Sequence, residues 1–431
     1  MDKRRIVFVL FVSFALLFSP SVRADDTALF TTVAPDALII LDLSGSMNWT
    51  PYGETMFTAN AMNCNSSTAL FWGEKGAGHM AECTILSTSV PKYGDPACLG
   101  PFARTSGIAG TTDCSRVAIA KRTLFDILDD NDSNNITSAD DKSLNVRIGY
   151  MRFTTADDTA GNPRSGNIQI PTTPTDMGIG ARYSRLYCNN ATSCAPNANV
   201  AGTISGATAS GGTPLVSALQ EARTYLDSHK ATDPAQECRQ KFVILISDGG
   251  DTYACGGNGQ EDQQSQYVRR RASVKRAKDL ADQGYKVFVI GFGVQMPHYL
   301  RNTLNWMAYY GGTDNPGVAN NGNTGAYDPG IFGATLCPVS SNLAHHNIDG
   351  DGDHWYALTN DPGEIDLSGY AFLAASSADL TAALKYAINI IREAPIPSRR
   401  PLSPPRGSWM KTTCTRDPSS LSTTTPSGWG I

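Results

Sequence analysis

The stretch "ALIILDLSGSMNWT", residues 37–50, decides the fold. Ala37 to Leu41 are apolar without alternation, the pattern of a parallel strand covered on both faces. The run ends in Asp42, and the chain turns polar through Ser44 and Ser46. A buried strand that delivers a carboxylate and two hydroxyls to its end asks for partners elsewhere in the chain.

Further along, similar runs alternate with helical stripes. "SRVAIAKRTLFDILDD" (115–130) puts Val117, Ala120, Leu124, Ile127 and Leu128 on one face. "NVRIGYMRF" (145–153) reads as a strand, with a short strand near Ile168. "TPLVSALQEARTYLDS" (213–228) is a helix with Pro214 near its first turn. "KFVILIS" (241–247) is a second fully apolar strand, ending at Asp248. Residues 262–282 form a helix, "YKVFVIGFG" a strand, 297–310 a helix, "YAFLAASS" a last strand and 378–392 a last helix. Strand and helix in alternation predict an α/β fold. We expect a doubly wound, mostly parallel six-stranded sheet with helices on both faces. Two large loop-rich insertions, 48–113 and 311–369, interrupt it. The first leaves from the Asp42 loop and is expected at the carboxyl edge. The second joins a helix to the start of a strand and is expected at the opposite edge.

Sheets of this kind bind ligands at the carboxyl ends of their strands. Asp42, Ser44 and Ser46 end one strand, Asp248 follows another, and "SGGTPL" sets Thr213 in a glycine-rich loop before a helix. Two carboxylates and three hydroxyls form an oxygen-only donor set, which suits a hard divalent cation: Mg²⁺, Mn²⁺ or Ca²⁺. Five protein donors leave a coordination position for an incoming carboxylate. In this order, spacing and strand context, the set resembles the metal-ion-dependent adhesion site of von Willebrand factor A domains. "GGTPL", "LISDG" and "VFVIGFG" strengthen the resemblance, which covers residues 36–393. With "LIILDLSGSM" at the start and "AASSADLTAALKYAINIIRE" at the end, the chain resembles the N-terminal domain of PilY-like type IV pilus tip-associated adhesins. In that family a β-propeller follows, which we expect to be missing after residue 393.

The flanks set the compartment. Lys3, Arg4 and Arg5 precede an apolar run, Ile6 to Phe18, and a small-residue site at Val22-Arg23-Ala24. That is a Sec-type signal peptide over residues 1–24, and the apolar run is too short for a spanning helix. All ten cysteines follow it, without CxxC spacing, so disulfides are expected. Cys188 with Cys194, and Cys238 with Cys255, are candidate local staples; connectivity is otherwise open. Residues 394–431 are rich in Pro, Ser, Thr and Arg and read as a disordered tail. Codons for Trp409 to Gly430 admit an adjacent frame resembling the segment that joins the A domain to the propeller, so we expect a frameshift near Ala394.

Other features are weaker. Asp349, Asp351 and Asp353 alternate as in calcium loops, but no glutamate stands at the twelfth position. They read as a partial calcium site or an acidic turn. His345-His346 could bind metal near the acidic loop but reads rather as a surface turn, and "RRRASVKRAK" (269–278) as a solvated basic face rather than a docking patch. No HExxH, GxSxG or Walker pattern occurs. A net charge of −5 argues against nucleic acid as the partner. The expected role is therefore metal-dependent adhesion at the periplasm, pilus tip or cell surface, without catalysis. The expected partners are a protein offering a carboxylate and the minor pilins. The alternatives are a secreted A-domain protein unrelated to pili, or a chelatase-like enzyme subunit, which export and cysteines oppose.

Overall fold

The computed structural model describes residues 33–48, 116–153, 178–188, 203–205, 211–259, 264–293, 296–330, 342–347 and 353–394, with short pieces between them. The expected signal peptide, most of the expected first insertion, the tail from 395 onward, Asp349 and Asp351 lie outside the described residues.

Five strands run parallel: β1 (Asp36–Asp42), β2 (Arg147–Phe153), β4 (Lys241–Ser247), β5 (Tyr285–Phe292) and β6 (Phe372–Ala374). A two-residue strand β3, Ile168–Gln169, pairs antiparallel with β2. The order across the sheet is β6-β5-β4-β1-β2-β3. From β1 the chain winds first toward β2 and later returns on the other side through β4. The strand order therefore reverses between β1 and β4, which places the crevice for a ligand there.

Both faces are covered. Ala37, Ile39 and Leu41 of β1, with Phe242, Ile244 and Ile246 of β4, pack under helices α1 (Arg116–Leu128) and α5 (Ser377–Glu393). Leu38 and Ile40, with Val243 and Leu245, meet α2 (Leu215–Thr232), α3 (Gln266–Asp282) and α4 (His298–Tyr310) on the other face. This two-sided burial explains the unbroken apolar runs; each large side chain so covered contributes about 1.5–3 kcal/mol. The α5 stripe, Leu380, Leu384, Ala387, Ile388 and Ile391, is fully buried. Ser376 caps that helix by accepting the Asp379 amide at 3.2 Å.

Three local readings are corrected. Arg269, Arg270 and Arg271 are 1%, 6% and 3% exposed, not a solvated face. They reach across to hold other segments: Arg269 donates to the Asp251 carbonyl, Arg270 to the Asp361 carboxylate, and Arg271 to the Thr359 and Asn360 carbonyls. Buried guanidiniums need such partners, and composition alone does not reveal them. His345 and His346 lie in a strand, Leu343–Asn347, paired antiparallel with Asp353–Ala357, where Asp353 stands opposite Asn347. Cys255 is bonded to Cys337, 82 residues later, rather than to Cys238, which is itself disulfide-bonded.

That bond also moves the second insertion. Its start stays at the amino edge, where the Thr313 hydroxyl donates to the Val287 carbonyl at 2.6 Å. It then returns along α3 and α4, and Cys337 reaches the loop that follows Asp248. The insertion thus spans both edges, because the arginines of α3 supply the donors that its carbonyls and carboxylate need.

Candidate functional site

The site lies at the reversal between β1 and β4. Asp42 is the last residue of β1 and is fully buried. Its Oδ1 accepts the Ser44 amide at 2.8 Å, a turn of the kind aspartate forms with its own backbone two residues on. The Ser247 hydroxyl donates to Oδ2 at 2.7 Å. From β4, Asp248 meets the serines: the Ser46 hydroxyl lies 3.0 Å and the Ser44 hydroxyl 3.4 Å from Asp248 Oδ1. The two serine hydroxyls are 3.1 Å apart.

Thr213 reaches the same edge through its backbone. Gly45 donates to the Gly211 carbonyl at 2.7 Å, which ties the glycine-rich loop to the serine loop. The Thr213 amide donates to Thr252 Oγ1 at 2.8 Å, and the Thr252 amide returns to the Thr213 carbonyl at 2.9 Å. Gly212 allows this approach, since a Cβ there would stand 2.6 Å from the Tyr253 ring and 2.8 Å from the Thr252 hydroxyl. Thr213 is 3% exposed.

Two residues escaped the sequence reading. Arg116, the first residue of α1, places Nη1 2.6 Å from Asp248 Oδ2. Asp251, three residues after Asp248, is buried and accepts the Val216 amide at 2.7 Å, the Tyr253 amide at 2.9 Å and the Ala254 amide at 2.6 Å. It therefore satisfies one donor in the first turn of α2, that of Val216, a task ordinarily done by a capping residue, and two donors of its own loop. The preceding residue, Pro214, makes no side-chain cap. Arg116 follows a cysteine and a serine with no motif around it. Asp251 sits in "SDGGD", where the second aspartate was the only available clue.

Asp42 titrates upward, to about 7, because burial disfavours its charge and Asp248 repels it; hydrogen bonds from Ser247 and Ser44 pull the other way. The Asp248 carboxylate and the two serine hydroxyls lie at mutual distances of 3.0–3.4 Å, beside the buried Asp42 carboxylate, and the donor set that these side chains offer is oxygen. This donor set fits a hard divalent cation, whose charge offsets the repulsion that burial amplifies.

The described residues hold two further groups of acidic and histidine side chains able to hold a metal ion. Asp36, His229 and Asp233 are already met by internal cations. Lys241 Nζ lies 3.2 Å from Asp36 and 2.9 Å from Asp233, and Arg239 Nε is 2.9 Å from Asp233. His298, His354 and Glu364 form the other group. No helix among the described residues is long and apolar enough to cross a membrane.

No protein-family model matches the chain, and no curated protein matches it in sequence. Among solved structures, the chain is similar to BatB, a conserved hypothetical protein from Bacteroides thetaiotaomicron. The identity is 14%, covering 83% of this chain and 98% of that one, at a TM-score of 0.29. It is similar to an aerotolerance-related membrane protein from Bacteroides fragilis at 12% identity, covering 83% and 99%, with a TM-score of 0.28. The PilB minor pilin from Streptococcus sanguinis matches at 12% identity, over 84% of this chain and 62% of that one, with a TM-score of 0.34. At TM-scores this low the likenesses carry no argument about function.

Proposed function

We propose that the chain is an exported, metal-dependent adhesion domain of the von Willebrand factor A class, built around Asp42, Ser44, Ser46, Thr213 and Asp248. The observation that carries this reading is the meeting of the β1 and β4 loops, where both serine hydroxyls lie within 3.4 Å of Asp248 Oδ1. A divalent cation bound there supplies an electrophile for a carboxylate on a partner protein. The chain's own part is to hold the oxygens in place before the partner arrives, which the Ser44–Asp42 turn and the Gly45–Gly211 bond support.

The pilus assignment rests on the opening and closing stretches of the sequence. It makes the minor pilins and a surface carboxylate-bearing protein the partners, and attachment and pilus assembly the roles. Calorimetric titration tests the first step: Mg²⁺ or Mn²⁺ binds the chain, and Asp42→Ala abolishes that binding while the circular dichroism spectrum keeps its α/β form. Unchanged metal affinity in Asp42→Ala and in Asp248→Ala would sink the assignment. In the producing cell, the same variant is exported normally and supports less surface attachment.

A further inference from the structure

His298, His354 and Glu364 come from three separate segments and converge on one point. His298 is the first residue of α4, and its side chain is 40% exposed. His354 lies in the hairpin of the second insertion and is 3% exposed. Glu364 lies in the turn near the end of the same insertion, where its amide donates to the Asp361 carbonyl. His354 Nε2 stands 2.7 Å from Glu364 Oε1, and His298 Nε2 stands 3.4 Å from that same oxygen. The donor atoms of all three residues lie within 4.8 Å of one another.

The cluster is held from behind. Arg270 donates from Nε and Nη2 to the two oxygens of Asp361, at 3.0 and 2.8 Å, and from Nη2 to the Trp355 carbonyl at 2.8 Å. Asp361 in turn accepts the Gly363 and Ala357 amides at 2.9 and 3.1 Å. One buried ion pair thus fixes the residue after His354 and the residue before Glu364. Gly363 is required for the approach, since a Cβ there would stand 2.5 Å from Arg270 Nε. Asn302, one turn into α4 from His298, donates to the Gly363 carbonyl at 2.9 Å and joins the third segment to the other two. Tyr299 stacks on the His354 ring at 4.1 Å and 13°, which fixes its plane. Asp361 pairs with Arg270 at 2.8 Å and so offsets part of the guanidinium charge behind the cluster.

Two imidazoles and one carboxylate are the donor set of open zinc sites, and tetrahedral zinc spaces its donors about 3.3 Å apart. The His298–Glu364 separation of 3.4 Å already matches, and the His354–Glu364 hydrogen bond has to lengthen by about 0.6 Å. We propose that His298, His354 and Glu364 form a second cation site, selective for zinc-class ions, with a fourth position left to water or an anionic ligand. Nitrogen donors separate its preference from that of the oxygen-only site, which takes hard cations. Its position gives it a use: it joins the insertion to the start of α4, the helix that follows β5 at the carboxyl edge.

The test uses the full chain without an affinity tag, in saturating Mg²⁺, titrated with Co²⁺. The expected result is one equivalent of Co²⁺ with the intense visible absorption of a four-coordinate nitrogen–oxygen site, bleached by Zn²⁺. His298→Ala and Glu364→Gln each weaken it at least about tenfold, with unchanged circular dichroism, and Asp42→Ala leaves it intact. His298 is half exposed, so its truncation leaves no core cavity and the variant folds. Absence of that absorption, an affinity unchanged in His298→Ala, or Co²⁺ binding lost in Asp42→Ala but kept in His298→Ala each overturns the proposal. The Asp42→Ala arm keeps its failure distinct from that of the adhesion reading.

Discussion

Arg116 Nη1 lies 2.6 Å from Asp248 Oδ2, so one of the two acidic residues at the ligand edge already holds a cation supplied by the chain. Both side chains are nearly buried, at 8% and 0% exposure, where a charge pair is far less screened than on the surface.

A divalent ion entering the site has to share Asp248 with that guanidinium. Arg116→Gln removes the competing charge and keeps a hydrogen-bond donor. We expect Mg²⁺ and Mn²⁺ to bind about tenfold tighter or more in this variant. Calorimetry at fixed ionic strength measures it, and equal or weaker affinity would show that Arg116 does not oppose the metal.

Asp251 ties the loop after Asp248 to itself and to the start of α2 through three backbone amides. Asp251→Ala leaves those donors buried without their acceptor, at a cost of about 1–3 kcal/mol. Denaturant unfolding reads the loss. The loop carrying Thr213 slackens with it, so metal affinity falls too, although Asp251 offers nothing to the ion directly. Stability lost with metal affinity intact contradicts the link.

The Cys255–Cys337 bond closes a long loop and so restrains the unfolded chain strongly. Replacing both cysteines with serine lowers stability by about 2–4 kcal/mol. The loop after Asp248 then loses its tie to the second insertion. Limited proteolysis reports this as new cleavage between 250 and 260 in the variant under otherwise native conditions.

Asp361 gives a pH dependence with a definite sign. Burial alone raises its carboxyl, but the Arg270 charge, the Arg270 hydrogen bonds and the Gly363 and Ala357 amides outweigh burial and hold it below its ordinary value. A carboxyl lowered by folding stabilises fully above its unfolded pKa of about 3.9 and loses that contribution as pH falls through the folded value. Asp361→Asn should cost about 3 kcal/mol near neutrality by leaving Arg270 buried without its counter-charge. It should also flatten the decline of stability below pH about 4. Melting scans across that range measure both. A steeper acid decline in the variant would reverse the assignment.

Much of this architecture was legible in sequence because it rests on contiguous patterns. The 241–247 strand is bounded as its residues suggest, since seven buried positions in a row leave little freedom. The α1 stripe also matches, from Val117 to Leu128, because helical periodicity is a local property. The strand expected over 145–153 begins at Arg147, after a left-handed Asn145 that closes the short helix Ser138–Leu144. What sequence could not reveal were contacts at long separation. Arg116 and Asp248 lie 132 residues apart, Arg270 and Asp361 lie 91 apart, and nothing in either neighbourhood names the other. The basic run 269–278 looked solvated because burial of an arginine depends on acceptors that another segment brings. Asp42, Ser44, Ser46 and Asp248 came together because strand ends in a parallel sheet share an edge, a consequence of topology rather than of spacing.

The order in which the chain is made adds a constraint. The hydroxyl of Ser44 finds Asp248 204 residues later, and Cys255 waits another 82 residues beyond its own position for Cys337. During synthesis the amino-terminal half of the ligand edge therefore emerges long before its partners, with Asp42 at the end of a strand that has no neighbour on its β4 side. The edge closes in sequence, first when β4 pairs with β1 and then when the disulfide forms, and the last event needs an oxidising compartment. A chain held in a reducing cytosol can build its sheet and still leave the loop after Asp248 unstapled, so the maturity of the site is a matter of where the protein finishes folding as much as of what it is made from.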